Sequence, residues 1–253
     1  MTSDADSKRE STGIPHRRFA TTSWTMVVDA ASDSQDKQKA LSQLCESYWY
    51  PLYSYARRRG NNVADSEDLT QAFFAHLLSQ NRLAAADQSR GRFRTFLLTA
   101  MDNFLKNDWR SKQALKRGGD QQILSLDFED AENRFQNEPA TSATPDSAFE
   151  RNWAIEVLNR VLASVQQQYV DSGKEQLFES LKGNITGDLN LPYDEIAERL
   201  NMKTGAVKVA VHRLRERYGQ QLRLQIAHTV ESPEQVDEEL SALFRALSNE
   251  KPS

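Results

Sequence analysis

The sequence predicts an all-α protein, built as two helical domains on a flexible acidic linker with a further helix at the C-terminal end. Three observations carry this. From Ser23 onward, apolar residues recur three or four positions apart and no strand-like alternation competes. Helix punctuation falls at the edges of those stretches, with Gly118-Gly119 as a stop and Thr144-Pro145 and Ser232-Pro233 as starts. Between Asp120 and Phe149 the periodicity gives way to Asp120, Asp127, Glu129, Asp130, Glu132, Glu138 and Asp146, with Arg134 alone basic.

Composition bounds the function classes. The chain has 253 residues, enough for one large domain or two small ones, with 38% hydrophobic and 27% charged residues and a formal charge of −4. This polar balance leaves room for disordered segments, and no internal period of repeat length is found. Cys45, the one cysteine, lies in LSQLCESYWY; it excludes an internal disulfide, fits a reducing compartment and reads as a small buried hydrophobe. MTSDADSKRESTGIPHRR lacks the apolar centre of a secretory signal, and no run of about 18 apolar residues is present, so a cytoplasmic protein without a membrane partner is expected. His16, His76, His212 and His228 lack metal-ligand spacing, and neither a Gly-rich phosphate loop nor a nucleophile elbow appears. No catalytic residue, metal or cofactor is expected.

Residues 1–20 read as a polar, disordered tail, and residues 21–119 as the first domain. Pro51 in YWYPLYSYARRRG marks a boundary or kink. Asp65 is the expected N-cap of DSEDLTQAFFAHLLSQ, where Leu69, Phe73, His76 or Leu77, and Gln80 share one face. A second long helical stretch covers Arg90 to Gly119, with Phe96 and Phe104 as its expected core residues. Residues 120–144 form the linker, with a short ordered piece around ILSLDF.

The second domain spans residues 145–230. Thr144 caps its first helix, Pro145 takes the first helical position, and Trp153, Val157 or Leu158, Val161 or Leu162, and Val165 share a face. In YDEIAERLNMKTGAVKVAVHRLRERY the first helix buries Tyr193, Ile196, Ala197 and Leu200. Asn201 stands where a left-handed residue is wanted, and Val207, Val211, Leu214 and Tyr218 form the inward stripe of the next helix. Residues 231–253 are the C-terminal helix and tail, opened by a capping box at Ser232-Pro233-Glu234-Gln235, with an apolar stripe expected to pack on its own domain.

A short helix, a tight turn and a longer basic helix make a helix-turn-helix, whose second helix fits the DNA major groove. Lys203, Thr204 and the Gly205 backbone would fix register on a phosphate at the helix N-terminus. Lys208, His212 and Arg215 would reach base edges or phosphates, flanked by Arg213 and Arg217. A plain solvated helix face is the alternative. In RGRFRTFLLTAMDNFLKNDWRSKQALKR, basic residues alternate with Phe93, Phe96, Phe104 and Trp109, a pattern suited to single-stranded nucleic acid.

DSEDLTQAFFAHLL followed by GRFRTFLLTAMDNFLKNDWRSK resembles region 2 of bacterial sigma-70-family factors, in particular the extracytoplasmic-function (ECF) group. LPYDEIAERLNMKTGAVKVAVHRLRERY resembles that group's region 4. The two blocks stand in the family's order and cover about residues 22 to 225. The resemblance implies a sigma factor that binds core RNA polymerase, through its β′ clamp helices and β flap, and promoter DNA, with an anti-sigma factor as a further candidate partner. Asp65, Glu67, Asp68, Gln71 and Phe74 would meet the polymerase. Asn103, Lys106, Asn107, Trp109, Arg110 and Lys112 would recognise and hold the opened minus-10 strand, which costs a few kcal/mol per unstacked base. Lys203, Thr204, Gly205, Lys208, His212, Arg213 and Arg215 would bind the minus-35 duplex.

The sequence departs from the family pattern in its long linker, its leading RFATTSWTMVVDAA segment, its C-terminal helix, and Lys203 where a Ser or Thr cap is expected. Two other readings compete. An autonomous helix-turn-helix regulator explains Lys203 to Gly219 but leaves the region 2 block without a purpose. A nucleic-acid hydrolase using Glu67 and Asp68 with a metal lacks further ligands, and carboxylates at a helix start need no catalytic explanation.

Overall fold

The computed structural model describes residues 37–79, 92–111, 130–138, 144–187, 191–227, 229–230 and 232–248, and every regular element among them is helical. The all-α expectation holds. Helix α1, Lys37–Arg58, buries Leu44, Cys45, Tyr48, Leu52, Tyr55 and Ala56, the three–four spacing of an amphipathic helix. Pro51 ends nothing: it lies inside α1. The missing N–H costs roughly 3 kcal/mol in a helix interior, and the buried tyrosines on either side supply packing that offsets it.

Helix α2, Val63–Ser79, is capped by Asn62 rather than by Asp65. The Asp65 N–H donates to Asn62 Oδ1 at 2.8 Å, and Asn62 Nδ2 donates back to Asp65 Oδ2 at 2.8 Å. Asp65 is therefore the third helical residue of a reciprocal capping pair, and the helix starts one turn earlier than expected. Leu69, Phe73 and Leu77 are buried as expected, whereas Gln80 lies outside the described residues. Helix α3, Phe93–Ser111, turns Phe93, Leu97 and Met101 fully inward, with Phe96 and Phe104 partly buried beside them. The Gly118-Gly119 stop lies outside the described residues.

The acidic stretch expected to be a flexible linker contains helix α4, Ala131–Gln136. Ala131 is buried against Tyr50 and Tyr53 of α1, and the Arg134 guanidinium lies 3.7 Å from the Tyr50 ring centroid. The ILSLDF piece lies outside the described residues.

Helix α5, Pro145–Asp171, starts as expected, with the Ser147 N–H donating to Thr144 Oγ1 at 3.2 Å and Pro145 in the first turn. Phe149, Trp153, Ala154, Val157, Val161 and Val165 are buried, and α5 packs most extensively on α1. Short helices α6 (Glu175–Leu181) and α7 (Gly183–Thr186) follow, then α8 (Tyr193–Arg199) and α9 (Thr204–Ala227). α5 begins where the second domain is expected, yet it does not start a separate core. One hydrophobic cluster runs from Leu44 on α1 through α5 to Leu214 on α9.

The chain closes with a 3-10 turn, Pro233–Gln235, and helix α10, Val236–Ser248. Ser232 makes no side-chain cap, so the expected capping box is replaced by the 3-10 turn. Val236, Leu240 and Leu243 are buried against α5 and α9, while Phe244 is 52% exposed. Glu239 extends beyond the expected docking partner and reaches the start of α3.

Candidate nucleic-acid interface

Helix α8 stops through backbone bonds that need a left-handed residue. Asn201 has φ +49°, the Met202 N–H donates to Ala197 O at 2.9 Å and the Asn201 N–H to Glu198 O at 3.2 Å. This paired closure fixes the turn into α9. The Lys203 carbonyl accepts from the Ala206 and Val207 N–H groups, making Lys203 the residue before the first helical turn. The Thr204 hydroxyl donates to Asp194 Oδ1 at 2.9 Å, so it joins α9 to α8. Val207, Val211 and Leu214 are buried, and the Tyr218 hydroxyl donates to Leu158 O at 3.3 Å on α5. Burial pushes the Tyr218 phenol up to about 12, so it stays a neutral donor.

That inward stripe turns Lys208 and His212 to solvent on one face, and Gly205 and Arg213, the latter expected only to flank it, are exposed beside them. Arg215 is exposed at the edge of the face and donates from Nε to Asn184 O at 3.2 Å. Arg217 lies over the Tyr169 ring at 5.2 Å, which draws it towards α5. A Cβ placed on Gly205 would meet nothing within 4 Å, so the space above the first turn is open. First-turn N–H groups lack intrahelical acceptors, and together with the dipole they attract phosphate. Val209 is 50% exposed at the centre of the same face. It is absent from the sequence-based candidates, and its only signal was its position one helical turn beyond Gly205 and next to Lys208.

On α3, Asn103 and Lys106 are exposed. Lys106 pairs with Asp102 at 2.5 Å, and Asp102 also accepts from Arg59. The Lys106 and Arg59 cations hold the Asp102 carboxyl below the usual range. Asn107, Trp109 and Arg110 lie on the α3 backbone, their side chains outside the described residues, as is all of Lys112. Arg92 and Arg94, read from the sequence as part of the basic-aromatic stretch, face inward to carboxylates.

On α2, Asp68 is exposed, and Asp65, Glu67 and Gln71 are half-buried. Phe74 corrects the expectation. It is 2% exposed and packs against Phe73, with ring centroids 5.9 Å apart, so it belongs to the core and cannot face a partner. Among the described residues no three His, Cys, Asp or Glu side chains come together as a metal site, and no helix is long and apolar enough to cross a membrane.

Comparison with curated proteins and with solved structures gives no match. The ECF sigma factor family model matches residues 22–224, which includes both the α2–α3 block and the α8–α9 pair. With four-fifths of its length under that match and the helix-turn-helix in place, the chain belongs to the ECF sigma factor family, whose members act in transcription initiation.

Proposed function

We propose that this chain binds core RNA polymerase and directs it to promoters, with α9 reading the minus-35 duplex and α3 holding the opened minus-10 strand. The observation that carries the reading is the outward face of α9. Gly205, Lys208, Val209, His212 and Arg213 lie together there, with open space above the first turn. Asp65, Glu67, Asp68 and Gln71 supply an acidic, hydrophilic face suited to the basic clamp helices of the β′ subunit, and the β flap would meet the α8–α9 unit. Lys203 positions the first turn, and Arg215 adds a phosphate contact at the edge of the groove. Asn103, Lys106, Asn107, Trp109, Arg110 and Lys112 remain the proposed minus-10 set, with Lys106 having to leave Asp102 to engage a phosphate.

The test mixes the purified chain with core polymerase and a promoter library and scores runoff transcripts. New, sequence-dependent start sites are expected. Binding of duplex DNA without any association with core polymerase would instead identify an autonomous helix-turn-helix regulator.

A further inference from the structure

Glu239 stands on α10, beyond the family-matched residues, and only 1% of its side chain is exposed. A carboxylate that deep is costly unless it is paired and hydrogen-bonded. It accepts from Arg92 Nε at 2.7 Å and from both terminal nitrogens of Arg94, Nη1 and Nη2, the latter at 3.3 Å. Arg94 is itself 4% exposed, donates from Nε to Glu150 Oε2 on α5 at 2.6 Å, and lies 4.0 Å from the Trp153 ring centroid. Arg92 also reaches Glu238 Oε1 at 3.6 Å. Burial alone would lower the Arg94 pKa, but the Glu150 and Glu239 carboxylates raise it overall, so Arg94 stays charged.

We infer that Arg92 and Arg94, walled by Trp153 and Glu150, form a carboxylate socket occupied by the chain's own C-terminal helix, and that α10 latches the two DNA-binding surfaces into a closed form. The fit is one of chemistry and shape. The acidic first turn of α10 (Asp237, Glu238, Glu239) meets the paired arginines, while Val236, Leu240 and Leu243 seat it on α5 and α9. α10 therefore travels with α5 and α9, and α3 cannot part from α9 until the Glu239 pairs break.

Parting is needed on the proposed function, on which this inference rests. The minus-35 and minus-10 elements lie about 25 base pairs apart, roughly 85 Å of duplex. Here α3 and α9 belong to one core around α5, whose 27 residues span about 40 Å. Engaging both elements requires a longer reach, and the latch opposes it.

The experiment uses the full chain with spin labels at Thr99→Cys on α3 and Gln220→Cys on α9, both exposed positions. Cys45 does not compete, because burial pushes its thiol up to about 12. The unsubstituted latch should give one short distance between the labels. E239Q should raise the ratio of long to short distances by about tenfold or more, since it removes the carboxylate both arginines share and leaves Arg94 with Glu150 on α5 and Arg92 with the exposed Glu238. E238Q, at an exposed position, should leave the ratio unchanged. An E239Q distribution identical to the parent's overturns the latch. If E239Q loses its helical circular dichroism, R92Q replaces it and breaks the same pair from the α3 side, with the same opening expected and the same result overturning it.

Hydrogen exchange on the unlabelled parent adds a readout free of substitutions. The amides of the first α3 turn, where the Thr95 and Phe96 N–H groups donate to Arg92 O, should be protected in the free chain and lose protection on binding core polymerase. Retained protection in a complex that does form overturns the latch. Failure to form a complex refutes the sigma-factor reading, and the distance measurement still decides the latch.

Discussion

Gly205 separates what the fold needs from what a ligand would need. Its Cβ position is empty and its φ is not in the left-handed region, so Gly205→Ala should stabilise α9 by about 0.5–1 kcal/mol. If the first turn receives a phosphate, the same methyl group should weaken duplex binding several-fold. Thermal melts and a duplex titration measure the two effects, and a more stable variant with unchanged affinity would remove Gly205 from the interface. Lys208 is testable by salt: Lys208→Ala should lower the slope of log affinity against log salt by about 1 if it contacts one phosphate. Val209 can touch only apolar groups, and a thymine methyl is the one such group on a major-groove edge. Val209→Ser should relax selection at one thymine position in a promoter library while leaving the salt slope alone. The sequence hid Val209 because a valine between Val207 and Val211 looks like an extension of their stripe; a rotation of 100° per residue puts it on the opposite side.

Helix α4 shows why acidic composition is an unreliable sign of a tether. Glu132 accepts from Arg57 Nε and Nη2, both at 3.0 Å, and from the Tyr53 hydroxyl at 2.8 Å. Glu138 accepts from Arg58 Nη2 at 2.6 Å, Tyr50 Oη at 2.7 Å, Ser54 Oγ at 2.8 Å and Asn152 Nδ2 at 2.7 Å. The arginines that meet these carboxylates lie on α1, some eighty residues earlier, and pairing at that range leaves no local signature in one sequence. Capping was legible at Thr144 and Asn201, but not at Ser232, where a 3-10 turn stands in place of the expected box. The start of α2 was misread because Asn62 and Asp65 are both good caps, and only their reciprocal bonds decide between them. Burial alone would raise the Glu138 pKa, but the bonds from Arg58, Tyr50, Ser54 and Asn152 outweigh it and hold it below the ordinary value. A depressed carboxylate contributes stability above its unfolded pKa, near 4.5, and that contribution is lost as pH falls through the folded value. Glu138→Gln should therefore lose stability at neutral pH and show a flatter decline below about pH 4.5 in denaturant titrations. An acid limb parallel to the parent's would exclude Glu138 as its source.

At the scale of the whole molecule, the net charge of −4 conceals a sorting of charges. Glu132 of α4, Glu138 just beyond it and Glu239 of α10 pair with arginines of α1 and α3, while the outward face of α9 keeps its cations towards solvent. The two family blocks were legible as sequence, and so were most residues lining each helix's inner face. Their sharing of one core was not, because each amphipathic face states only that it is buried and leaves its partner unnamed. α5 resolves this: it packs on α1 and also on α9 and α10. A shared core makes a thermodynamic demand, since two autonomous lobes would melt independently, whereas lobes joined through α5 should melt together. Trp153 is the position to test, being 2% exposed and lying against the Arg94 guanidinium. Trp153→Ala removes that stacking and leaves a cavity, and should cost about 3–5 kcal/mol. The loss should register equally in the hydrogen exchange of α2 and α9 amides, and calorimetry should show one transition shifted down as a unit. If α2 amides lose protection while α9 amides keep theirs, the lobes are energetically separate and α5 only touches both.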